Sequence, residues 1–356
     1  MKIRVGLAVA LSSFVVLAGC GGIQNEIPVS GTEKQTDNIE TQEASRDVFA
    51  MDTYMTVTAY GEDAEAAVEE AEAEIYRLEN LLSTAIGTSE IAQVNQNHGG
   101  SLTTDSIYLV ERSLELYEST KGAFDITVYP VMRAWGFADQ NFRVPEEEEL
   151  KELLSRVDSS RIELSKDSGT IRFSGEDMEI DLGGIAKGYT SARIMDIFRE
   201  HGITSGLVSL GGNVQVMETK VDGSLWRVAV QNPDLEEDYL GVLEVENKAV
   251  ITSGGYERYF EENGQTYHHI IDPKTGYPAQ SGLISVTIVS SDGTLADGLS
   301  TSLFIMGKDE ASDFWRAHSR EFEAIFVDEE KNLYVTEGIA DSFSSDYHVE
   351  IIKENQ

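Results

Sequence analysis

Residues 268–278, His-His-Ile-Ile-Asp-Pro-Lys-Thr-Gly-Tyr-Pro, gather imidazole, carboxylate, ammonium and hydroxyl groups around one forced turn. Pro273 fixes φ and Gly276 supplies φ > 0, so the chain must reverse there. The β-branched pair Ile270 and Ile271 reads as the end of a buried strand. His269 and Asp272 then arrive together at a strand end, with Lys274 on the turn tip. An imidazole beside a carboxylate is equipment for moving a proton near neutral pH. An ordinary strand-turn with a satisfied histidine accounts for the same residues in isolation.

A second set is Asp297, Ser300 and Thr301. Ser291-Asp292-Gly293-Thr294 supplies capping residues, and Leu299, Leu303 and Phe304 follow at helical spacing. Asp297 is then i to Ser300 at i+3 and Thr301 at i+4, on one helical face. Oxygen-only donors of this kind suit Mg²⁺, which keeps waters and substrate phosphates as its remaining ligands. Such pairs are also common on exposed helices. In Asp181-Leu182-Gly183-Gly184-Ile185-Ala186-Lys187-Gly188, an expected strand Met178 to Ile180 runs through glycines into a helix. Glycines allow close backbone approach, and a helix N-terminus favours anions. The spacing is neither a dinucleotide fingerprint nor a P-loop, and a tight structural turn fits it equally well. Gly122-Ala123-Phe124-Asp125 precedes Ile126-Thr127-Val128, expected as a strand, and Phe124 and Met51 read as core from residue type alone.

Taken together, these stretches resemble the ApbE-type FAD:protein FMN transferases. The segments from Met51-Asp52-Thr53, Gly122 to Val128, Asp181 to Gly188, Ser209-Leu210-Gly211-Gly212-Asn213, His269 to Gly276 and Ala296 to Thr301 follow the family's order. The resemblance runs from about Phe49 to Gly338. It implies FAD as substrate, with Met51, Ala123, Phe124, Asp125, Asp181, Lys187 and Ile271 lining its site. It implies Mg²⁺ on Asp297 and Thr301, with Ser300 beside them and the Gly184 carbonyl completing the protein's share. His269 is the expected proton acceptor and Asp297 the other catalytic residue. Three positions depart from the family's pattern. Asp52 stands where glycine is usual, Ala85 where an aromatic often stacks on the cofactor, and Gly255 where a polar residue is usual.

The ends of the chain carry address information. Lys2 and Arg4, the apolar run Val5 to Leu17, and Leu17-Ala18-Gly19-Cys20 read as a signal peptide over residues 1–19. Its apolar core is shorter than the roughly 20 residues a spanning helix needs. The four residues closing at Cys20 resemble a bacterial lipobox, so Cys20, the only cysteine, is expected to be lipidated. Residues 20–46 lack an apolar period and are expected to be a flexible tether. Residues 47–345 form the catalytic unit and 346–356 a tail. The chain is expected on the extracytoplasmic face of the cell membrane, held by its lipid.

Formal charge is −36, from 63 acidic and 27 basic residues. Nucleic acid is excluded as a partner, since its binding rests on Lys and Arg against phosphate. FAD is an anion too, but scattered carboxylates are screened beyond a Debye length of about 8 Å, so local groups decide at the site.

The expected elements are a first strand Thr53 to Tyr60, helices over Glu62 to Leu82, Leu102 to Thr120 and from Pro145, and a hairpin over Ile162 to Ser174. A helix Ile185 to His201 follows, then short strands from Gly206 to Thr252, a strand Leu283 to Ser290, a helix Leu295 to Met306 and a final hairpin over Ala324 to Thr336. Grouped strands and helices indicate α+β, with largely antiparallel sheets and packed helices, in a single ApbE-like, T-fold-related unit. The expected reaction is attack by a Thr or Ser hydroxyl on the FMN-side phosphorus of FAD, with AMP leaving. The acceptors implied are flavoprotein subunits of membrane electron-transport systems. An FAD pyrophosphatase and a non-catalytic FAD-binding lipoprotein are the rivals.

Overall fold

The computed structural model describes residues 42–232 and 238–355. The expected signal peptide, Cys20 and the tether as far as residue 41 lie outside the described residues.

Among the described residues, nine strands form the main sheet. Their spatial order follows the chain: Glu43–Ala50, Thr53–Tyr60, Ser205–Leu210, Asn213–Met217, Ala249–Gly254, Leu283–Ser290, Phe322–Asp328, Leu333–Thr336 and Val349–Ile352. Every pairing is antiparallel except the last, where Leu333–Thr336 and Val349–Ile352 run parallel.

Alternation along the strands sends side chains to two different cores. Ala249, Ile251, Val286, Ile288, Ala324 and Phe326 face one core, under the helices Gly183–Glu200 and Gly293–Met306. Val250, Val289, Ile325 and Val327 face another, covered by a three-stranded sheet that includes Trp226–Gln231 and Tyr239–Val245. A sheet buried on both faces has no polar register to show, which is why these strands read as continuous apolar runs. The helix Ala64–Leu82 lays Ala67, Val68, Ala71 and Ile75 on the first two strands at 0% exposure. Its glutamates stay outside that stripe.

Several local expectations are corrected. Glu43 to Arg46, expected as tether, already pair with Val57 to Tyr60 in the edge strand. Val349–Ile352, expected as tail, closes the sheet because Ile352 finds burial there at 6% exposure. Ile126–Val128 is a short 3₁₀ turn, since the Asp125 carboxylate caps the Thr127 N–H at 2.8 Å. Met178 to Ile180 has no strand neighbour. Instead the Asn95 amide supplies both bonds of a strand partner to Ile180, each at 2.8 Å. The strand before the 272–276 turn is Gln265–His268, and Ile271 makes only a single bridge to Pro278.

Candidate functional site

Asp297 sits one turn inside the helix Gly293–Met306 at 4% exposure. That helix starts where the Asp292 side chain accepts from the Leu295 N–H at 3.0 Å. Two donors hold the Asp297 carboxylate: the Gly188 N–H at 2.7 Å on Oδ2, and Asn213 Nδ2 at 3.0 Å on Oδ1. Each depends on glycine. A Cβ at Gly188 would lie 2.1 Å from the Gly293 carbonyl oxygen and 2.6 Å from Asp297 Cβ, so the two helices meet only because none is there. Gly211 and Gly212, at φ +60° and +96°, form the turn that delivers Asn213. Burial raises the Asp297 pKa, with Lys187 and its hydrogen-bond donors opposing. Among the described residues no cation lies within ion-pair distance of it.

An enclosed carboxylate without a cationic partner is a fitting place for a metal ion. The Thr301 hydroxyl, one turn on, bonds the Ser253 hydroxyl at 3.2 Å and keeps acceptor capacity. Ser300 fits less well, because its hydroxyl donates back to the Asp297 carbonyl at 2.8 Å and meets Ser253 Oγ at 2.7 Å. It stabilises the helix and orients Ser253. The Gly188 N–H that Asp297 engages is also the ordinary helical partner of the Gly184 carbonyl, so that oxygen competes with a carboxylate for its donor. Among the described residues no group of three or more His, Cys, Asp or Glu is placed to hold a metal. A cation here would rest on Asp297, Thr301 and the Gly184 carbonyl, a hard set consistent with Mg²⁺.

Lys187 joins this corner to the rest of the site. Its ammonium acts electrostatically on Asp181, Glu257, His269 and Asp297. Asp181 accepts from the Gly183 N–H at 2.8 Å, and burial raises its pKa against Arg258 and Lys187. Glu257 is partly buried, and desolvation pushes its carboxyl up to about 7, with Lys187 opposing and Asp297 reinforcing the rise. The Arg258 guanidinium donates to the Phe137 carbonyl at 3.1 Å, while its own carbonyl accepts from His269 twice, from the backbone N–H at 3.0 Å and from Nδ1 at 3.2 Å. A carbonyl can only accept, so the ring proton is on Nδ1 and Nε2 is the acceptor. Desolvation, with Arg258, His268 and Lys187 nearby, drops the His269 pKa to about 3. The expectation of an imidazole titrating near neutrality is therefore corrected: this ring stays neutral throughout the physiological range.

The signature turn beyond His269 is built to hold itself. The Asp272 carboxylate accepts from the Lys274 N–H at 2.9 Å and the Thr275 hydroxyl at 3.1 Å. Trp135 Nε1 donates to the Gly276 carbonyl at 2.7 Å. Asp272 and Thr275 thus shape the loop, and Lys274 is exposed at its tip. The Ile271 side chain enters a small core with Val131, Trp135, Phe137 and Phe260.

Asp125 also turns inward. Its carboxylate accepts from the Thr127 N–H and hydroxyl and the Ser159 N–H and hydroxyl, so it clamps two loops together. Ala123 is 3% exposed and Phe124 is 4% exposed. The Phe124 ring edge would stand 3.2 Å from a Cβ at Gly184, so it packs under the proposed metal corner. Met51 and Asp52 both adopt positive φ, +49° and +58°, in a two-residue hairpin turn of the kind glycine favours. Glu79 accepts the Met51 N–H at 2.7 Å, and Met51 Sδ lies 3.9 Å from the Thr190 hydroxyl.

Lys187 therefore relates Asp181, His269 and Asp297, the residues singled out by type and spacing. Glu79, Asn213, Ser253, Glu257 and Arg258 had no assigned role. The stretch Thr252 to Arg258, with its adjacent Glu and Arg after paired glycines, was the available signal for three of them.

A model of the ApbE family matches residues 51–326. The chain is 32% identical over 324 residues to the FAD:protein FMN transferase of Treponema pallidum, covering 84% of this chain and 88% of that protein. It is 28% identical to the enzyme of the same name from Haemophilus influenzae, covering 83% and 88%. The fold is similar to the crystal structure of the ApbE protein of Thermotoga maritima, with TM-score 0.80 and 30% identity over 85% of this chain and 99% of that one. The Pseudomonas stutzeri flavinyl transferase ApbE, in its apo form, superposes with TM-score 0.76 at 26% identity, covering 86% and 98%.

Proposed function

The chain belongs to the ApbE family, and from that premise we propose that it transfers FMN from FAD to a Thr or Ser hydroxyl of another protein, releasing AMP. The observation that carries the reading is the buried Asp297 carboxylate, fixed by the Gly188 N–H and Asn213 Nδ2 with no ion-pair partner among the described residues, in a corner where Lys187 supplies a nearby ammonium. A pyrophosphate carries its own negative charge and needs such a cation beside it.

In the transfer, the acceptor oxygen bonds to the FMN-side phosphorus as the bond from that phosphorus to the bridging oxygen breaks. AMP leaves with that oxygen, and the hydroxyl proton passes to a base. Mg²⁺, held by Asp297, Thr301 and the Gly184 carbonyl, would supply charge neutralisation at the pyrophosphate. Lys187 offers a second positive charge from the first turns of the helix Gly183–Glu200, whose N-terminus also favours anions. His269 Nε2 is the proposed proton acceptor. Its proton-bearing Nδ1 is fixed on the Arg258 carbonyl, so the ring orientation is set before substrate arrives. Met51, Ala123, Phe124, Asp181 and the Ile271 main chain line the flavin side.

Lipidation at Cys20 would place the enzyme on the extracytoplasmic face, beside acceptor subunits of membrane electron-transport systems. Cys20→Ala protein should then leave the membrane fraction. The reaction itself is tested by incubating the mature protein with FAD, Mg²⁺ and an acceptor flavoprotein subunit, then weighing the acceptor. A mass gain of one FMN less one water, with equimolar AMP, is expected. FMN and AMP appearing free, with the acceptor mass unchanged, would make the protein a pyrophosphatase instead.

A further inference from the structure

The helix Gly183–Glu200 carries Lys187 on the side of the catalytic corner. Tyr189, Ala192, Arg193, Asp196 and Arg199, spaced three and four apart, turn to its opposite side. There they line a cavity of about 460 Å³. Tyr108 from the helix Thr104–Ser119 forms another wall, with Ser291 and Thr294 at the start of the helix Gly293–Met306. The volume is that of a small-molecule pocket, and the proposed transfer makes no use of it.

Two polar side chains in this cavity are almost fully buried yet lack partners. Gln215 is 5% exposed and Thr294 is 1% exposed. One end of the Gln215 carboxamide meets the Ser191 hydroxyl at 2.6 Å, and its other end has no hydrogen-bond partner among the described residues. The Thr294 hydroxyl has none there either. Both residues line the cavity and neither group is sealed inside protein, so each opens onto the cavity. Buried polar groups are ordinarily paired, and a pair of them left open to one cavity is suited to a hydrogen-bonding guest. The Tyr108 and Ser291 hydroxyls add two more groups without partners among the described residues.

The charges around the cavity are already matched. Asp196 pairs with Arg193 at 3.1 Å and with Arg199 at 2.8 Å, Arg193 also reaches Glu74 at 3.6 Å, and Asp292 pairs with Arg112 at 3.3 Å. A phosphate or carboxylate would have to break such a pair to find its cation. We infer that this cavity is a second ligand site, separate from the catalytic corner, and that it takes a neutral, hydroxyl-rich ring compound, a saccharide or a nucleoside. Tyr108, backed by Tyr189 with ring centroids 5.4 Å apart, offers the ring a face to stack on. Gln215, Thr294 and Ser291 meet its hydroxyls. The site does not depend on the transferase reading.

Calorimetry on the full chain with adenosine, methyl glucoside and AMP tests it. At least one neutral probe should bind saturably with Kd at or below about 1 mM, and AMP should bind no tighter than adenosine. Adenosine binding assigns the site to nucleosides and glucoside binding to saccharides. Tyr108→Ala and Thr294→Val should each weaken that probe about threefold to tenfold, with the melting temperature and FAD affinity kept. Ala192→Trp, which fills the cavity from its half-buried wall, should abolish binding in a folded protein. No saturable binding of either neutral probe overturns the inference, as does an unchanged Kd in all three variants. AMP binding tighter than adenosine would make the cavity an anion site, against the inference. Displacement of the probe by FAD would place it in the catalytic corner and equally overturn a separate site.

Discussion

The backbone N–H of Gly188 donates to the carboxylate of Asp297 at 2.7 Å, joining two helices through residues 109 apart in the chain. The bond exists because residue 188 has no side chain. Gly188→Ala would drive a methyl onto the Gly293 carbonyl oxygen, which is backbone and cannot step aside. Overpacking of this kind costs about 1–3 kcal/mol, and here it also pulls a donor from Asp297. Thermal unfolding should show the loss of stability and the transfer assay a larger loss of activity. Wild-type activity in a folded Ala variant would mean that the bond does not position Asp297.

Asp297→Asn should separate metal binding from folding. Neutralising the buried carboxylate removes a desolvation cost, but the Asn amide can accept only one of the two bonds from Gly188 and Asn213, so the two effects oppose and the melting temperature should stay close to that of the wild type. Transfer should fall about 100-fold or more, since the proposed cation loses its only carboxylate. Retention of wild-type turnover at limiting Mg²⁺ would remove Asp297 from the metal site.

His269 is displaced from about 6.5 to about 3, mainly by desolvation, with Arg258, Lys187 and the second imidazole of His268 also disfavouring its protonated form. A lowered folded-state pKa keeps the ring neutral as pH falls to about 3, so base function at His269 should survive from pH 8 down to 5. A limb in kcat near pH 6.5 that disappears in His269→Ala would contradict this. His269→Ala should lower turnover by about 10²–10⁴-fold with similar FAD affinity. His269→Gln should be nearly as slow, because an amide keeps polar reach but takes no proton at neutral pH. Restoration by Gln would assign His269 to orienting the loop.

Glu257 titrates in the opposite sense. Its carboxyl rises from 4.5 to about 7 on folding, so between those values the folded state binds more proton than the unfolded one. Its contribution to stability is fully present below about pH 4.5 and is lost as pH rises through about 7. In metal-free protein, Glu257→Gln should therefore gain stability relative to the wild type across that interval and keep a constant margin above it. A difference that does not change with pH would show Glu257 to have an ordinary pKa.

Glu79 should govern flavin affinity through Met51. Two non-glycine residues in succession at positive φ are strained by roughly 1–2 kcal/mol each, and the Glu79 bond to the Met51 N–H helps hold them there. Glu79→Gln retains an acceptor oxygen and should bind FAD normally. Glu79→Leu should weaken binding, read as a raised KM for FAD at similar kcat. Equal losses in both variants would point to charge rather than to support of the turn.

Much of the chemistry was legible along the chain because it is set within a few residues. Asp297 and Thr301 share a face by helical geometry, and Pro273 with Gly276 forces the turn after His269. The helix Gly183–Glu200 opens at its glycines, and grouped apolar runs mark a largely antiparallel sheet. What lay beyond reach depends on neighbours distant in sequence. Asn213 meets Asp297 across 84 residues and Glu79 meets Met51 across 28. Asn95 stands in for a strand beside Ile180, and Asp125 turns inward because Ser159 is waiting there. Even the His269 pKa is a tertiary property. Residue type sets only its value in water, whereas the folded value follows from the solvent that packing removes and the charges it brings near.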